Sequence, residues 1–316
     1  MAGLIEQEIG GIVKNILDDY KVERSIDKMD LFHQPQKDIV IQVVHKLLKI
    51  IYPGYFRDRS YKFYNIENDF SVQIEDTMFV LNKQISRALA YDNKYKDQPR
   101  EVIEAEAEKL SVAFFKKIPQ IREYAEGDLE AAYDGDPAAY YREEIILSYP
   151  GVYAITVNRI AHELFLLGIP LIPRIMTEHA HWQTGIDIHP GATIGHNFFI
   201  DHGTGIVIGE TTIIGDNVKI YQGVTLGALS TRGGQKLQGK RRHPTIENDV
   251  VIYSGASILG GETVIGQGAV IGSNAFVTKS IEPGTRVSIK NQELIFANRE
   301  HSVVKKTELE QDDNWQ

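Results

Sequence analysis

The chain has 316 residues, 42% hydrophobic and 24% charged, which is enough apolar material for two domains or for one domain with a long accessory region. Its net charge of −9 argues against general nucleic-acid binding, and the absence of cysteine excludes a disulfide framework, thiolate metal ligands and a cysteine nucleophile. No stretch reaches the ~18 uncharged apolar residues of a membrane span, and the first twenty residues lack the basic-then-apolar plan of a secretory signal, so the expected address is the cytoplasm, with no membrane partner.

Across residues 1–184 the apolar side chains recur at helical spacing. Ile39, Val43, Leu47 and Ile51 form one stripe, and Ile103, Ala107, Leu110 and Phe114 another. Val152, Ile155, Ile160 and Leu164 mark a later helix. Asp97, Pro99 and Glu101 read as a helix start, with a capping acid and a proline in the first turn. This half is expected to be an all-helical N-terminal domain. Such stripes ordinarily build core, so no chemistry is assigned to them.

From Ile188 the period becomes six. The series runs Ile188, Ile194, Ile200, Ile206, Thr212, Val218, Val224, breaks, and resumes as Ile246, Ile252, Ile258, Val264, Val270, Phe276. Eleven of these thirteen positions are Ile or Val, a repeat signal that predicts a parallel β-helix over 185–290 with each sixth residue pointing inward. The break at 229–242 reads as a loop extruded from one corner. It lies in a window free of acids between Asp216 and Glu247 that holds Lys219, Arg232, Lys236, Lys240, Arg241 and Arg242, and that suits an anionic ligand or a solvated basic loop. The tail, 291–316, is polar and charged, and a short helix with a frayed end is expected there.

Polar side chains on the turns of an apolar prism need a reason, and the candidates are Asp187, His189, Asp201, His202, Glu210, Arg242 and His243. With eighteen residues per coil, Asp187 and His202 would lie one coil apart and three residues out of register. With coils ~4.8 Å apart, the carboxylate would reach the imidazole and orient it as a general base. Taken alone, either residue is also compatible with a purely structural role. His189, His202 and His243 together are also compatible with a three-histidine zinc site.

The run DIHPGATIGHNFFIDHGTGIVIGETTIIGDN, followed by VTLGALS, the basic loop and RRHPTIENDVVIYSGASILGG, resembles the serine O-acetyltransferases of the hexapeptide-repeat superfamily. The resemblance covers about Asp136 to Lys290. Upstream, GDPAAYYREEIILSYPGVYAITVNRIAHEL is similar to the last helices of the family's N-terminal domain, including its Asp-Pro and its Arg159, Ile160 and His162 element. The fold class this implies is α+β: an all-helical domain followed by a left-handed parallel β-helix.

The resemblance implies that His202 is the general base and Asp187 its partner. It implies that Asp136, Asp201, Arg242 and His243 bind L-serine, with carboxylates for the ammonium and a guanidinium for the carboxylate. Acetyl-CoA is implied as a co-substrate, with no tightly bound cofactor and no metal. Gly227, Ala228, Ser254 and Ser273 would line its groove, and the basic loop would face its phosphates. A homotrimer or a dimer of trimers is implied, each site completed by the next subunit. Glu210 receives no role.

Three features depart from the family pattern. The loop is longer than the common glycine-rich linker, and Ala228 and Ser254 replace smaller residues at the groove. The family's complex with O-acetylserine sulfhydrylase depends on a C-terminal isoleucine, whereas this tail ends Asp312, Asp313, Asn314, Trp315 and Gln316, so a stable complex is not expected. The alternatives are a hexapeptide acetyltransferase acting on a sugar or antibiotic, a zinc enzyme of the carbonic anhydrase type, and a non-catalytic scaffold.

Overall fold

The computed structural model describes residues 3–22, 24–27, 34–56, 66–95, 97–290, 294–297 and 303–307. Helices come first: α1 (Leu4–Tyr20), α2 (Lys37–Ile51), α3 (Ile66–Leu89) and α4 (Arg100–Phe115). They are followed by α5 (Ile118–Gly135), α6 (Arg142–Ser148), α7 (Pro150–Leu166) and α8 (Ile172–Thr184). At the start of α4, Pro99 itself is the N-cap and makes no side-chain cap hydrogen bond, so the capping role expected of Asp97 is not observed. The apolar faces of α2, α5, α7 and α8 meet in one core containing Val43, Leu47, Ile121, Leu129, Ile160, Leu164 and Met176. No helix among the described residues is long and apolar enough to cross a membrane.

After α8 ends on Gly185, whose φ of 71° suits only glycine well, the chain winds into coils. The first coil holds β1 (Asp187–Ile188), β2 (Thr193–Ile194) and β3 (Phe199–Asp201); the second holds β4 (Val207–Ile208), β5 (Ile213–Ile214) and β6 (Lys219–Tyr221). The third holds β7 (Thr225–Gly227), β8 (Thr245–Ile246) and β9 (Val251–Ile252). The fourth holds β10 (Ser257–Leu259), β11 (Val264–Ile265) and β12 (Val270–Ile271). β13 (Phe276–Val277) and β14 (Arg286–Val287) close the stack. Strands of equal rank pair in parallel, giving three faces: β1-β4-β7-β10-β13, β2-β5-β8-β11 and β3-β6-β9-β12-β14. This is a left-handed β-helix of about five turns. Its interior is one column of aliphatic side chains, from Ile188 through Ile208, Leu226 and Ile258 to Val277.

The register corrects the period of six in detail. Inward residues on the first face are Ile188, Ile208, Leu226, Ile258 and Val277, so successive coils take 20, 18, 32 and 19 residues. The 32-residue coil exceeds 18 by the 14 residues of loop 229–242. Two residues are added in the turn after β3 and one in the turn after β10. Each addition shifts the phase. Thr212, Val218 and Val224 remain buried, but two residues before the strand's inward position. Phe276, expected inside, is 72% exposed, while Val277 takes the interior place, because a one-residue slip turns a strand residue to the other face.

The helices are tied to the β-helix by α7. Arg159, in the Arg-Ile-x-His element, lies buried and pairs in a fork with Asp128 of α5 at 2.9 and 3.1 Å. Two further N–H groups donate to the carbonyls of Ile194 and Gly195. His162 Nδ1–H donates to the Pro190 carbonyl at 2.8 Å. Four of the five guanidinium N–H groups and both carboxylate oxygens are hydrogen-bonded, so removing one partner would strand a buried charge at a cost of about 3–5 kcal/mol. Gly135 and Gly151 allow the close approach: a Cβ at Gly135 would meet the Phe199 ring at 2.6 Å, and one at Gly151 the Ile200 carbonyl at 2.6 Å. Both contacts seat helices against β3, whose end carries Asp201 and His202.

The tail departs from expectation. Instead of a helix, β15 (Leu294–Ala297) and β16 (Val303–Thr307) pair antiparallel, in keeping with the β-branched residues of Val303, Val304 and Thr307. The final residues, Asp312 to Gln316, lie outside the described residues.

Candidate active site

The polar side chains gather at two different corners of the prism. The first corner joins the β3 face to the β1 face. There the two-residue addition follows β3, and His202 takes a left-handed φ of 54° between Asp201 and Gly203. Histidine tolerates this region better than most residues, and such a conformation marks sites held by their surroundings. The ring is 75% exposed, with Nε2 at 3.8 Å from Asp201 Oδ1.

Asp136, at the end of α5, faces the same corner. Its Oδ1 accepts the Ala138 N–H at 2.8 Å and its Oδ2 the Tyr149 hydroxyl at 2.6 Å. The Tyr149 hydrogen bond, the Ala138 amide and the charge of His202 hold the Asp136 carboxyl below its ordinary value. The Tyr149 phenol is pushed up to about 12 by Asp136, burial and the nearby carboxylates of Glu144 and Asp201. On the next coil Tyr221 stands in register with Asp201, and Tyr253 stacks on it at 5.1 Å. Ser254 and Ser273 are neighbours on this corner, Oγ to Oγ 3.3 Å.

The second corner joins the β1 face to the β2 face and carries the long loop. The loop, which holds a short 3-10 turn at Gly234–Leu237, is exposed apart from the half-buried Leu237 and Arg242, and it leaves just after Gly227 and Ala228. It returns with Arg242 and His243. Thr211 Oγ1 accepts both backbone N–H groups, Arg242 at 2.9 Å and His243 at 3.1 Å. The Thr211 N–H donates to His243 Nδ1 at 3.0 Å, which leaves Nε2 to carry the proton of the neutral ring. Burial, with help from the charge of Arg242, pushes His243 down to about 4. Arg242 forms an ion pair with Glu210. Burial alone would raise the Glu210 carboxyl, but Arg242, His189 and His243 outweigh it and hold the group below its ordinary value. Glu210 thus acquires a structural part that the sequence had not supplied: it steers the guanidinium.

Asp187 begins β1 and stacks on Val207. Because that coil takes 20 residues, His202 falls five residues from the register partner of Asp187. Among the described residues no hydrogen bond or ion pair joins the two within one chain. Asp187 lies instead near Glu178 and His181 of α8, their ligand atoms within 4.8 Å of one another. Likewise His202 stands at one corner and His243 at the other, so the three histidines do not converge within the chain.

No family model matches the chain. A plasmid-encoded serine acetyltransferase of Synechococcus elongatus is 44% identical over 226 residues, spanning 70% of this chain and 71% of that protein. The chain belongs to the serine acetyltransferase family. It is therefore an acyltransferase. Serine acetyltransferase isoform 3 of Entamoeba histolytica, solved in complex with cysteine, superposes with a TM-score of 0.70 at 33% identity, over 91% of this chain and 94% of that one. Serine acetyltransferase 1 of the same organism, in complex with L-cysteine, gives 0.68 at 35% identity, over 85% and 95%.

Family membership leaves the role of each residue to be argued from geometry. Of the candidates, Asp136, Asp201 and His202 share one corner, with Ser254 and Ser273 above them. Arg242, His243, Gly227 and Ala228 share the other. Tyr149 was missed: it lies within the upstream stretch similar to the family's helical domain, but nothing in its spacing assigns it a role.

Proposed function

We propose that this chain transfers the acetyl group of acetyl-CoA to the side-chain hydroxyl of L-serine, giving O-acetyl-L-serine and CoA, the activating step from serine toward cysteine. The observation that carries this reading is the corner where two carboxylates, Asp136 and Asp201, flank the exposed His202 in the irregular turn after β3. An amino acid's ammonium needs such carboxylates, and its own carboxylate needs a fork of N–H donors, which Arg242 carries. His243, neutral at pH 7, adds an Nε2–H donor beside it.

In this mechanism His202 takes the proton from the serine hydroxyl as the oxygen attacks the thioester carbonyl. A backbone N–H stabilises the oxyanion of the tetrahedral intermediate. The C–S bond then breaks, and His202 returns its proton to the CoA thiolate. No covalent enzyme intermediate forms. Asp187 is assigned to orient His202 and to stabilise its protonated form.

The two-corner arrangement supports assembly of each site from two chains. One copy supplies Asp136, Asp201, His202, Ser254 and Ser273, and its neighbour in a trimer supplies Gly227, Ala228, Arg242 and His243. Acetyl-CoA then lies in the groove between them. Cysteine has the same ammonium and carboxylate as serine and would occupy the same pocket.

The test is an acceptor panel: purified protein with acetyl-CoA and L-serine, L-homoserine, galactose or no acceptor, with products identified by mass. Acetylation of serine alone, competed by added L-cysteine, is expected. Acetylation of galactose, or of nothing, would overturn the assignment.

A further inference from the structure

The serine pocket assigned above contains a group to which the sequence motifs assign no role. We infer that Tyr149 is a positioning residue for serine binding: its hydroxyl locks the Asp136 carboxylate in the orientation that receives the substrate ammonium. The inference rests on the proposed function and deepens it.

Asp136 lies on a joint rather than inside an element. It caps the C-terminus of α5 in an extended conformation, φ −116° and ψ 104°, so the helix does not fix its side chain. Two hydrogen bonds do. The Ala138 N–H holds Oδ1 at 2.8 Å, and the Tyr149 hydroxyl holds Oδ2 at 2.6 Å, a length typical of a charge-assisted O–H···O− bond. Tyr149 is itself well placed to hold its partner. It is the hinge between α6 and α7, capping both, and its ring packs against the helical core.

The chemistry of the donor matters as much as its position. A carboxylate offers about four lone-pair sites, and these two bonds use two, leaving room for an ammonium. A phenol donates without adding charge, so Asp136 keeps its full negative charge. A lysine or arginine in the same place would neutralise it and compete with the substrate. With its acidity pushed to about 12, Tyr149 remains a donor throughout the working pH range.

The experiment is a double-mutant cycle on KM for serine, using Tyr149→Phe, Asp136→Asn and the pair in the full-length protein. Tyr149→Phe keeps the ring and its packing. It is expected to raise KM for serine about tenfold, the size of one lost charge-assisted hydrogen bond to a binding group, with KM for acetyl-CoA and the melting temperature little changed. In the Asp136→Asn background the same change should add less than about twofold, because the group it acts through is gone. If Asp136→Asn raises KM for serine but Tyr149→Phe does not, or if the two effects simply multiply, the positioning role is overturned while the serine site stands. If Asp136→Asn itself leaves KM for serine unchanged, the assignment of the pocket fails, and the inference with it. A fall in melting temperature with both Michaelis constants moving together would reduce Tyr149 to a packing residue and also overturn the inference.

Discussion

Gly209 sets the position of His243, and replacing it with alanine should cost activity through that ring alone. A Cβ at Gly209 would fall 2.1 Å from His243 Cδ2 and 2.2 Å from Nε2. Carbon atoms in contact stand about 3.5 Å apart, so the ring must retreat by roughly 1 Å or more. It cannot do so freely. Its Nδ1 is held by the Thr211 N–H, its backbone N–H by Thr211 Oγ1, and the side chain is buried. Gly209 does not have a positive φ, so alanine brings no backbone strain, and the clash is the whole perturbation. Overpacking of this kind costs about 1–3 kcal/mol of stability. A binding group displaced by about 1 Å can cost on the order of 100-fold in kcat/KM. The assay is steady-state acetyl transfer with serine varied, beside a thermal melt. Gly209→Ala is expected to lose about 100-fold in kcat/KM for serine. In the His243→Ala background the same substitution should cost almost nothing, since the obstructing ring is gone. A Gly209→Ala enzyme within twofold of wild type, or a second loss of equal size in the His243→Ala background, would refute the reasoning.

Two further predictions follow from the same geometry. If each site takes His202 from one chain and Arg242 from the next, mixtures of inactive His202→Ala and Arg242→Ala chains should regain activity. Random assembly of equal amounts into trimers gives one site in about four with both residues intact, so about a quarter of wild-type activity is expected after co-refolding, and none if the site lies within one chain. Folded His243 binds its proton only near pH 4, against 6.5 ordinarily, so the unfolded chain binds more protons between those values. The stability this confers is complete above about pH 6.5 and lost as pH falls toward 4. Denaturant midpoints measured across that window should therefore fall less steeply for His243→Gln than for wild type.

Much of this was legible because a hexapeptide period is a direct image of a coil. The period located the β-helix and, by failing at 229–242, the loop that delivers Arg242 and His243. It could not give the phase. The additions after β3 and β10 are one or two residues among glycines and small polar residues, which leave the aliphatic count nearly unchanged while moving every later side chain. For that reason Phe276 was placed inside and lies outside. For the same reason the offset of Asp187 from His202, three residues on an 18-residue coil, is five on the 20-residue coil the chain makes there. The helical half offered core stripes, Asp136 and the Arg159 element but not their partners, so Tyr149 and the Asp128–Arg159 fork, which depend on packing between distant segments, stayed hidden. The two residues added after β3 lie in the very turn that presents His202, where the aliphatic series runs on through Ile206 and gives no sign of them.

The central claim is that His202 is the base that activates serine. The most direct measurement is serine-dependent release of CoA thiol by His202→Ala beside wild type, on a protein whose lack of cysteine leaves no thiol background. The account predicts a fall in kcat of about 10²–10⁴-fold with KM for serine little altered. A His202→Ala enzyme that retains kcat within about threefold of wild type would contradict it.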